Sequence, residues 1–137
     1  MRLSLKLEYA CRALAQLGLV YGQGGLVHVE FLADNENIPP NYLVQILNDL
    51  RNAGLVISRR GKSGGYALAR APEQISLREI IEVVESELLE SRVGGEGVCG
   101  ESVAKVWRAV ANKLTREIDT YTLADMMPSG RVEMYYI

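Results

Sequence analysis

The segment from Ile38 to Ala69 constrains the fold more than any other part of the chain. Pro39-Pro40 is typical of a helix start, and Gly54 is typical of the residue just after a helix end. The apolar residues between them recur at helical spacing, at Leu43, Ile46, Leu47 and Leu50. Two short apolar runs, 55–58 and 66–69, then flank Arg59-Arg60-Gly61-Lys62-Ser63-Gly64-Gly65. This pattern predicts a helix followed at once by a β-hairpin with a basic, glycine-rich tip.

Helical patterns surround this segment on both sides. Apolar spacing predicts a first helix over 3–20 and a short second helix over about 29–35. Ser76 and Glu79 form a capping-box pattern, and the apolar stripe behind it runs on to Leu88. A long amphipathic helix follows a glycine-rich loop at 91–100, and a last short helix near 122–127 ends at Pro128. This order predicts a mainly α fold, a winged helix-turn-helix with a two-stranded wing and a long C-terminal dimerisation helix.

Length and composition limit the organisation of the chain. The 137 residues, 48% of them apolar, suit one globular unit. We divide it into a DNA-binding domain at 1–90, a regulatory loop at 91–101, and a dimerisation helix with its tail at 102–137. No signal-peptide pattern or membrane-length apolar stretch is present, so we expect a cytoplasmic protein without membrane contact. No nucleophile and base, carboxylate pair or metal triad stands out, so we expect no enzyme activity and no metal site.

The charge is divided unevenly along the sequence. Residues 1–70 hold eight Lys or Arg and five Asp or Glu, whereas residues 71–137 hold seven and twelve. The net charge is therefore +3 in one half and −5 in the other. A basic face on an acidic body is compatible with directed docking on DNA.

The exposed face of the helix after Pro40 carries Asn41, Tyr42, Val44 and Gln45. A helix that reads base edges in the major groove needs short polar and amide side chains near its N-terminus, and Asn41, Tyr42 and Gln45 meet that need. Val44 interrupts the polar face. It either contacts a thymine methyl group or is an ordinary exposed apolar residue.

The hairpin tip combines Arg59, Arg60 and Lys62 with three glycines. Glycine lets the backbone approach phosphates or enter a narrow minor groove without side-chain collision. We favour this interpretation over an ordinary charged turn, because the segment is denser in charge and glycine than a turn requires.

The two cysteines and the single histidine suggest little chemistry by themselves. Cys11 falls on the apolar stripe of the first helix and is expected in the core. Cys99, in the glycine-rich loop, is either an oxidisable thiol that pairs across a dimer axis or a chance free thiol. His28 precedes the second helix as a weak cap or a solvent residue.

The long helix has a wide apolar stripe, with Trp107 at its centre. Dimer packing is the favoured use of this stripe, and packing within one chain remains the alternative. The residues that we assign to dimerisation are Val103, Val106, Trp107, Val110, Leu114 and Ile118.

Several motifs in this sequence resemble the Rrf2 family of bacterial winged-helix regulators. They are Met1-Arg2-Leu3-Ser4, the residues 38–43, 50–56 and 60–69, Trp107, and the residues 121–125. The resemblance implies a homodimer with crossed long helices, the helix after Pro40 in the major groove and the wing in the minor groove of double-stranded DNA. It assigns base contacts to Asn41, Tyr42 and Gln45, and a minor-groove contact to Arg60. The full expected DNA-binding set is Arg2, Pro40, Asn41, Tyr42, Val44, Gln45, Arg59, Arg60, Gly61, Lys62, Ser63, Gly64, Gly65 and Tyr66.

The loop departs from the family pattern. Many members bind an iron-sulfur cluster through three cysteines about six residues apart, but Val93 and Lys105 stand on either side of Cys99 here. One thiolate does not hold such a cluster, so we expect no cofactor. The chain resembles members without the cluster, which respond to a regulatory partner protein or to thiol oxidation.

The sequence thus favours a DNA-binding repressor that acts as a homodimer on a palindromic operator. Two alternatives stay open. One is a redox-sensing regulator that uses Cys99, and the other is a winged-helix protein-interaction module that binds no DNA, with Tyr42 and Val44 in a contact patch.

Overall fold

The computed structural model describes residues 1–90 and 94–128. Its helices are α1 (Leu5–Leu19), α2 (Val29–Glu36), α3 (Pro40–Asn52), α4 (Leu77–Val84), α5 (Gly100–Ile118) and α6 (Leu123–Met126). Two antiparallel strands, β1 (Val56–Arg59) and β2 (Gly65–Leu68), form the one sheet of this part of the chain. Short 3-10 turns cover Pro72–Gln74 and Ser86–Leu89. The winged helix-turn-helix predicted from the sequence is confirmed.

The core lies between α1, α3, α4 and the base of the sheet. The apolar stripe of α3 is fully buried, as its spacing predicts, and Leu14 and Leu17 of α1 are buried with it. Leu55, just before β1, and Ile80 of α4 belong to the same cluster. Burial of this stripe fixes which face of α3 is left for solvent.

The predicted capping box begins α4. The Ser76 hydroxyl accepts a hydrogen bond from the Glu79 backbone N–H at 3.1 Å, and the Glu79 carboxylate accepts one from the Ser76 N–H at 3.0 Å. This backbone hydrogen bond and the neighbouring Arg70 guanidinium lower the pKa of Glu79 below its ordinary value. The Glu79 carboxylate therefore stays ionised while it accepts a hydrogen bond from the Ser76 N–H, a group at the helix start that has no partner within the helix.

Element boundaries differ from the sequence prediction by one or two residues at α1 and at both strands, and by more at the end of α4. Helix α4 ends at Val84, so Leu88 lies in the separate 3-10 turn rather than on the helical stripe. The first strand begins at Val56, one residue late, because the Leu55 N–H donates to the Leu50 carbonyl at the end of α3. Leu88 still packs against the core, as the apolar pattern predicts. The prediction that one continuous helix carries this residue is wrong.

The C-terminal end of helix α5 is fixed to this body by an ion pair and by the packing of Ile118. The Arg78 guanidinium of α4 donates two hydrogen bonds to Asp119, at 2.6 and 2.5 Å, and this pairing lowers the pKa of Asp119. The backbone joins the same elements, since the Leu77 N–H donates to the Tyr121 carbonyl at 3.0 Å and the Leu123 N–H to the Ile75 carbonyl at 2.8 Å.

The proposed domain boundaries stay a prediction. Ile118 and Leu123, which follow residue 102, belong to the same apolar core as residues of α1 and α3. Residues 91–93 of the loop and the tail at 129–137 lie outside the described residues. Within the described ranges, no helix is both long enough and apolar enough to span a bilayer.

Candidate nucleic-acid interface

The solvent face of α3 presents the amides predicted from the sequence. Asn41 and Gln45 are exposed, and Pro40 stands exposed at the first position of the helix. Leu43 and Ile46, on the opposite face, have no exposed area and anchor the helix. The two amides are therefore held on a rigid helix with their donors and acceptors free, as base-edge recognition requires.

Tyr42 and Val44 are half-buried rather than fully exposed. The Tyr42 ring meets the Tyr9 ring of α1 edge to face, with centroids 5.7 Å apart, and it packs against the core. Arg12 lies over the other ring of the pair, 5.0 Å from the Tyr9 centroid. Tyr42 therefore helps to fix α3 on α1, and being half-buried it keeps part of its surface for a ligand.

The wing projects its cations from a tightly constrained turn. Gly65 has a φ of 145°, and a Cβ there would lie 2.5 Å from the Val27 carbonyl oxygen. A Cβ at Gly64 would lie 2.3 Å from the Arg59 carbonyl oxygen, so both positions require glycine. Arg59, Arg60, Lys62, Gly61 and Ser63 are all exposed beside them, whereas Tyr66 is half-buried.

The cations of the wing differ from those of the body in their pairing. Arg70 and Arg78 each form an ion pair with a carboxylate, at 2.7 and 2.5 Å. Among the described residues, Arg59, Arg60 and Lys62 have no carboxylate within ion-pair distance. Three unpaired cations on one short turn are available to neutralise phosphates.

Two contacts that the sequence analysis missed attach the wing to the helices. Val27, in the loop before α2, exchanges two 2.8 Å backbone hydrogen bonds with Tyr66. The Arg51 guanidinium, in the last turn of α3, donates to the Ser58 hydroxyl of β1 at 3.2 Å. Arg51 could have been noted as a cation near the hairpin, but the pairing of Val27 has no sequence signal.

Arg2 is exposed ahead of Ser4, the N-cap residue of α1, and forms no ion pair with a described residue. The described contacts do not join it to the wing or to α3. Its place in the DNA-binding set stays a prediction. His28 is the N-cap residue of α2 without a side-chain cap hydrogen bond, so only the solvent interpretation of this residue holds.

The apolar stripe of α5 divides into two parts. Val103, Val106, Trp107 and Val110 are between 49% and 61% exposed. Ile118, in contrast, is 7% exposed and lies in the core of its own chain, where Leu114 packs against it. Ile118 therefore has little surface left for a second chain, and its assignment to a dimer contact stays a prediction. The exposed apolar surface of the stripe lies along its first two turns.

The two cysteines lie in opposite environments. Burial, and to a lesser extent the Glu8 carboxylate, raises the pKa of Cys11 to about 11, so its thiol stays protonated and inert. Cys99 is exposed, directly before α5, and its carbonyl accepts from the Val103 N–H at 3.0 Å. Cys11 is partly buried and packs against the core, so the prediction of a core position for Cys11 is confirmed.

The donor groups of the loop do not match a three-cysteine cluster site. Cys99 is the single thiol of the described loop residues, Lys105 points from α5 as an exposed cation, and Val93 lies outside the described residues. Over 1–90 and 94–128, no group of three or more His, Cys, Asp or Glu side chains is arranged to hold a metal ion. We therefore propose no function that depends on an iron-sulfur cluster. The expectation that the protein binds no such cluster stays a prediction.

Comparison with known proteins agrees with this geometry. The model of the Rrf2 family, described as iron-dependent transcriptional regulators, matches residues 3–129. An HTH-type transcriptional regulator of Mycobacterium tuberculosis is 39% identical over 131 residues, which cover 92% of this chain and 81% of that protein. These relatives are transcriptional regulators rather than enzymes.

Two solved structures have the same fold. The structure of CymR, the global cysteine regulator of B. subtilis, superposes with a TM-score of 0.80 at 29% identity, covering 92% of this chain and 95% of that one. The structure of T. potens IscR superposes with a TM-score of 0.73 at 34% identity, covering 99% and 97%. An exposed amide face on α3, a wing with unpaired cations and these relatives together lead to one conclusion: the chain belongs to the Rrf2 family and is a DNA-binding transcription regulator.

Proposed function

We propose that the protein is a sequence-specific repressor that binds a palindromic operator as a homodimer. The observation that carries the proposal is that α3 and the wing line one concave surface. Asn48 and Arg51 of α3 form one wall, and Arg59 and Arg60 of the wing form the other. Reading helix and cationic wing can therefore contact adjacent grooves at the same time. A repressor of this kind acts on DNA in the cytoplasm.

The proposed roles follow from the side chains. Asn41 and Gln45 offer paired donors and acceptors to base edges in the major groove, and the Tyr42 hydroxyl adds one more. Arg60 enters the minor groove at the tip of the wing, where glycines let the backbone come close. Val44 supplies an apolar contact to a thymine methyl group, beside Gln45.

The homodimer rests on the exposed part of the α5 stripe. Val103, Val106, Trp107 and Val110 recur at intervals of three and four residues, so they form one strip along two turns of helix. Two copies of such a strip are self-complementary across a two-fold axis. In such a dimer we expect the two α3 helices to meet half-sites one helical turn of DNA apart, about 34 to 36 Å.

One experiment tests the proposal as a whole. Duplexes are selected from a random library with the purified full-length protein, and the enriched sites are footprinted. We expect a palindromic motif with two half-sites one helical turn apart. Failure to enrich any motif, or enrichment of a single asymmetric half-site by a monomer, would contradict it.

A thiol-controlled regulator is the second candidate, because Cys99 is exposed one turn before the proposed dimer strip. Oxidation would join two Cys99 thiols into one disulfide, with diamide as the electron acceptor. Non-reducing gels and DNA affinity before and after diamide test this candidate. It is discarded if neither changes in the wild type, or if Cys99→Ser changes in the same way. A regulatory partner protein stays a proposal without an assigned surface, and no observation favours an interaction module without DNA binding.

A further inference from the structure

A cleft of about 530 Å³ lies between the start of α2, the end of α3 and the wing. It is the concave surface between α3 and the wing, and the amides of Asn41 and Gln45 are not among its lining residues. Asn48 and Arg51 line it from α3, His28 and Glu30 from the α2 side, and the wing closes it. No sequence pattern pointed to a role for Arg51 or for this cleft.

The charge of this cleft is strongly unbalanced. Three guanidinium groups, from Arg51, Arg59 and Arg60, face a single lining carboxylate, that of Glu30. None of the three forms an ion pair with a described residue. Asp49, two residues before Arg51 in the sequence, pairs with Lys6 of α1 at 3.1 Å instead. Within residues 1–90 and 94–128, these cations thus have no paired anion.

Arg51 holds a special position among the three cations. It is the one on α3, and its hydrogen bond to Ser58 at 3.2 Å uses one guanidinium nitrogen, Nη1. A guanidinium carries five N–H donors in a planar fork, so most of its donors remain free to bind an oxyanion. The residue therefore ties the recognition helix to the wing while it presents charge to the cleft.

We propose that this cleft seats one phosphodiester of the DNA backbone, with Arg51 as its principal ligand. The proposal rests on the DNA-binding function proposed above and goes beyond it. Arg51 contacts the phosphate between the groove read by α3 and the groove entered by the wing. Because Arg51 also donates to Ser58, phosphate binding fixes the spacing between the two reading elements, and Glu30 opposes the bound phosphate.

The variants Arg51→Ala, Ser58→Ala and Glu30→Gln separate these roles in fluorescence-anisotropy titrations over a range of salt. For Arg51→Ala we expect weaker binding to every duplex and a slope of log K against log salt that is smaller by about 0.9 per subunit. Ser58→Ala keeps the guanidinium, so the slope should stay that of the wild type. Glu30→Gln should bind every duplex more tightly. The matched control is Arg116→Ala, which removes an exposed α5 cation that has no ion pair with a described residue and does not line the cleft.

A second measurement locates the phosphate. Single methylphosphonate substitutions, which remove one backbone charge each, are placed along the selected duplex. One position per half-site should weaken the wild type and leave Arg51→Ala unaffected. The inference is overturned if Arg51→Ala keeps the wild-type salt slope. It is also overturned if every methylphosphonate substitution that weakens binding by the wild type also weakens binding by Arg51→Ala. Lys62 is an exposed cation of the wing that does not line the cleft, so a Lys62→Ala variant that still lowers the slope would place the failure with the cleft alone. A wild type that retains no DNA at low salt would overturn the proposed function itself.

Discussion

Truncation of Trp107 should dissociate the dimer. Its side chain is 57% exposed at the centre of the α5 strip, and a large aromatic side chain has about 250 Å² to bury, so a partner would cover roughly 140 Å² of it. At about 25 cal/mol per Å² this is about 3.5 kcal/mol per subunit. Allowing for the contact that alanine keeps, Trp107→Ala should lose about 2 kcal/mol per subunit, or about 4 for the symmetric pair. The dimer dissociation constant would then rise about a thousandfold.

Phe31→Ala is the matched control for this variant. Phe31 is 55% exposed, nearly as much as Trp107, but it lies on α2 and outside the strip. Sedimentation equilibrium over a wide concentration range gives the dissociation constant of each variant. Trp107 is the single tryptophan of the chain, so a blue shift of its emission on association reports the same event in the wild type. A Trp107→Ala variant that dimerises like the wild type, or a Phe31→Ala variant that dissociates equally, would refute the assignment.

Three further predictions concern DNA binding and stability. Arg60→Ala should weaken binding to all duplexes and lower the salt slope by about 0.9 per subunit, measured by anisotropy; an unchanged slope removes the wing from the mechanism. Gln45→Ala should instead relax discrimination at one base position by about 1 to 3 kcal/mol, measured with single-base variants of the selected site, and equal loss on every sequence argues against base reading. The third concerns Glu79, whose pKa is lowered in the folded state, so its contribution to stability is complete above 4.5, the ordinary value, and is lost as the pH falls through the lowered pKa. In urea unfolding, the free energy of unfolding should therefore be higher for the wild type than for Glu79→Gln, and this difference should shrink in acid. A difference that does not change with pH would contradict the role of the ionised Glu79.

Local patterns in the sequence predicted most of the fold. The α3 stripe, the capping box at Ser76 and the glycine-rich wing each depend on residues close together in the chain, where spacing and backbone preference decide the outcome. The end of α4 at Val84 was missed because the apolar stripe runs on to Leu88 through a 3-10 turn. Periodicity marks which residues are buried, and it does not show that one helix carries all of them.

The parts of the site that depend on long-range packing could not be predicted. Arg51 meets Ser58 only because β1 folds back along α3, and Val27 joins the wing only because the loop before α2 passes beside β2. The α5 stripe looked uniform in sequence. The C-terminal end of α5 packs against α1 and α4. This packing buries Ile118 in the core and leaves Trp107 exposed.

We propose that the exposed amides of α3 read a base sequence while the cations of the wing hold the DNA backbone. The sharpest test is competition between the selected duplex and a scrambled duplex of the same length, at one near-physiological salt concentration. We expect binding to the selected duplex to be at least about a thousandfold tighter. That preference should fall in Gln45→Ala while the affinity for the scrambled duplex stays unchanged. Equal affinity of the wild type for both duplexes would contradict the account.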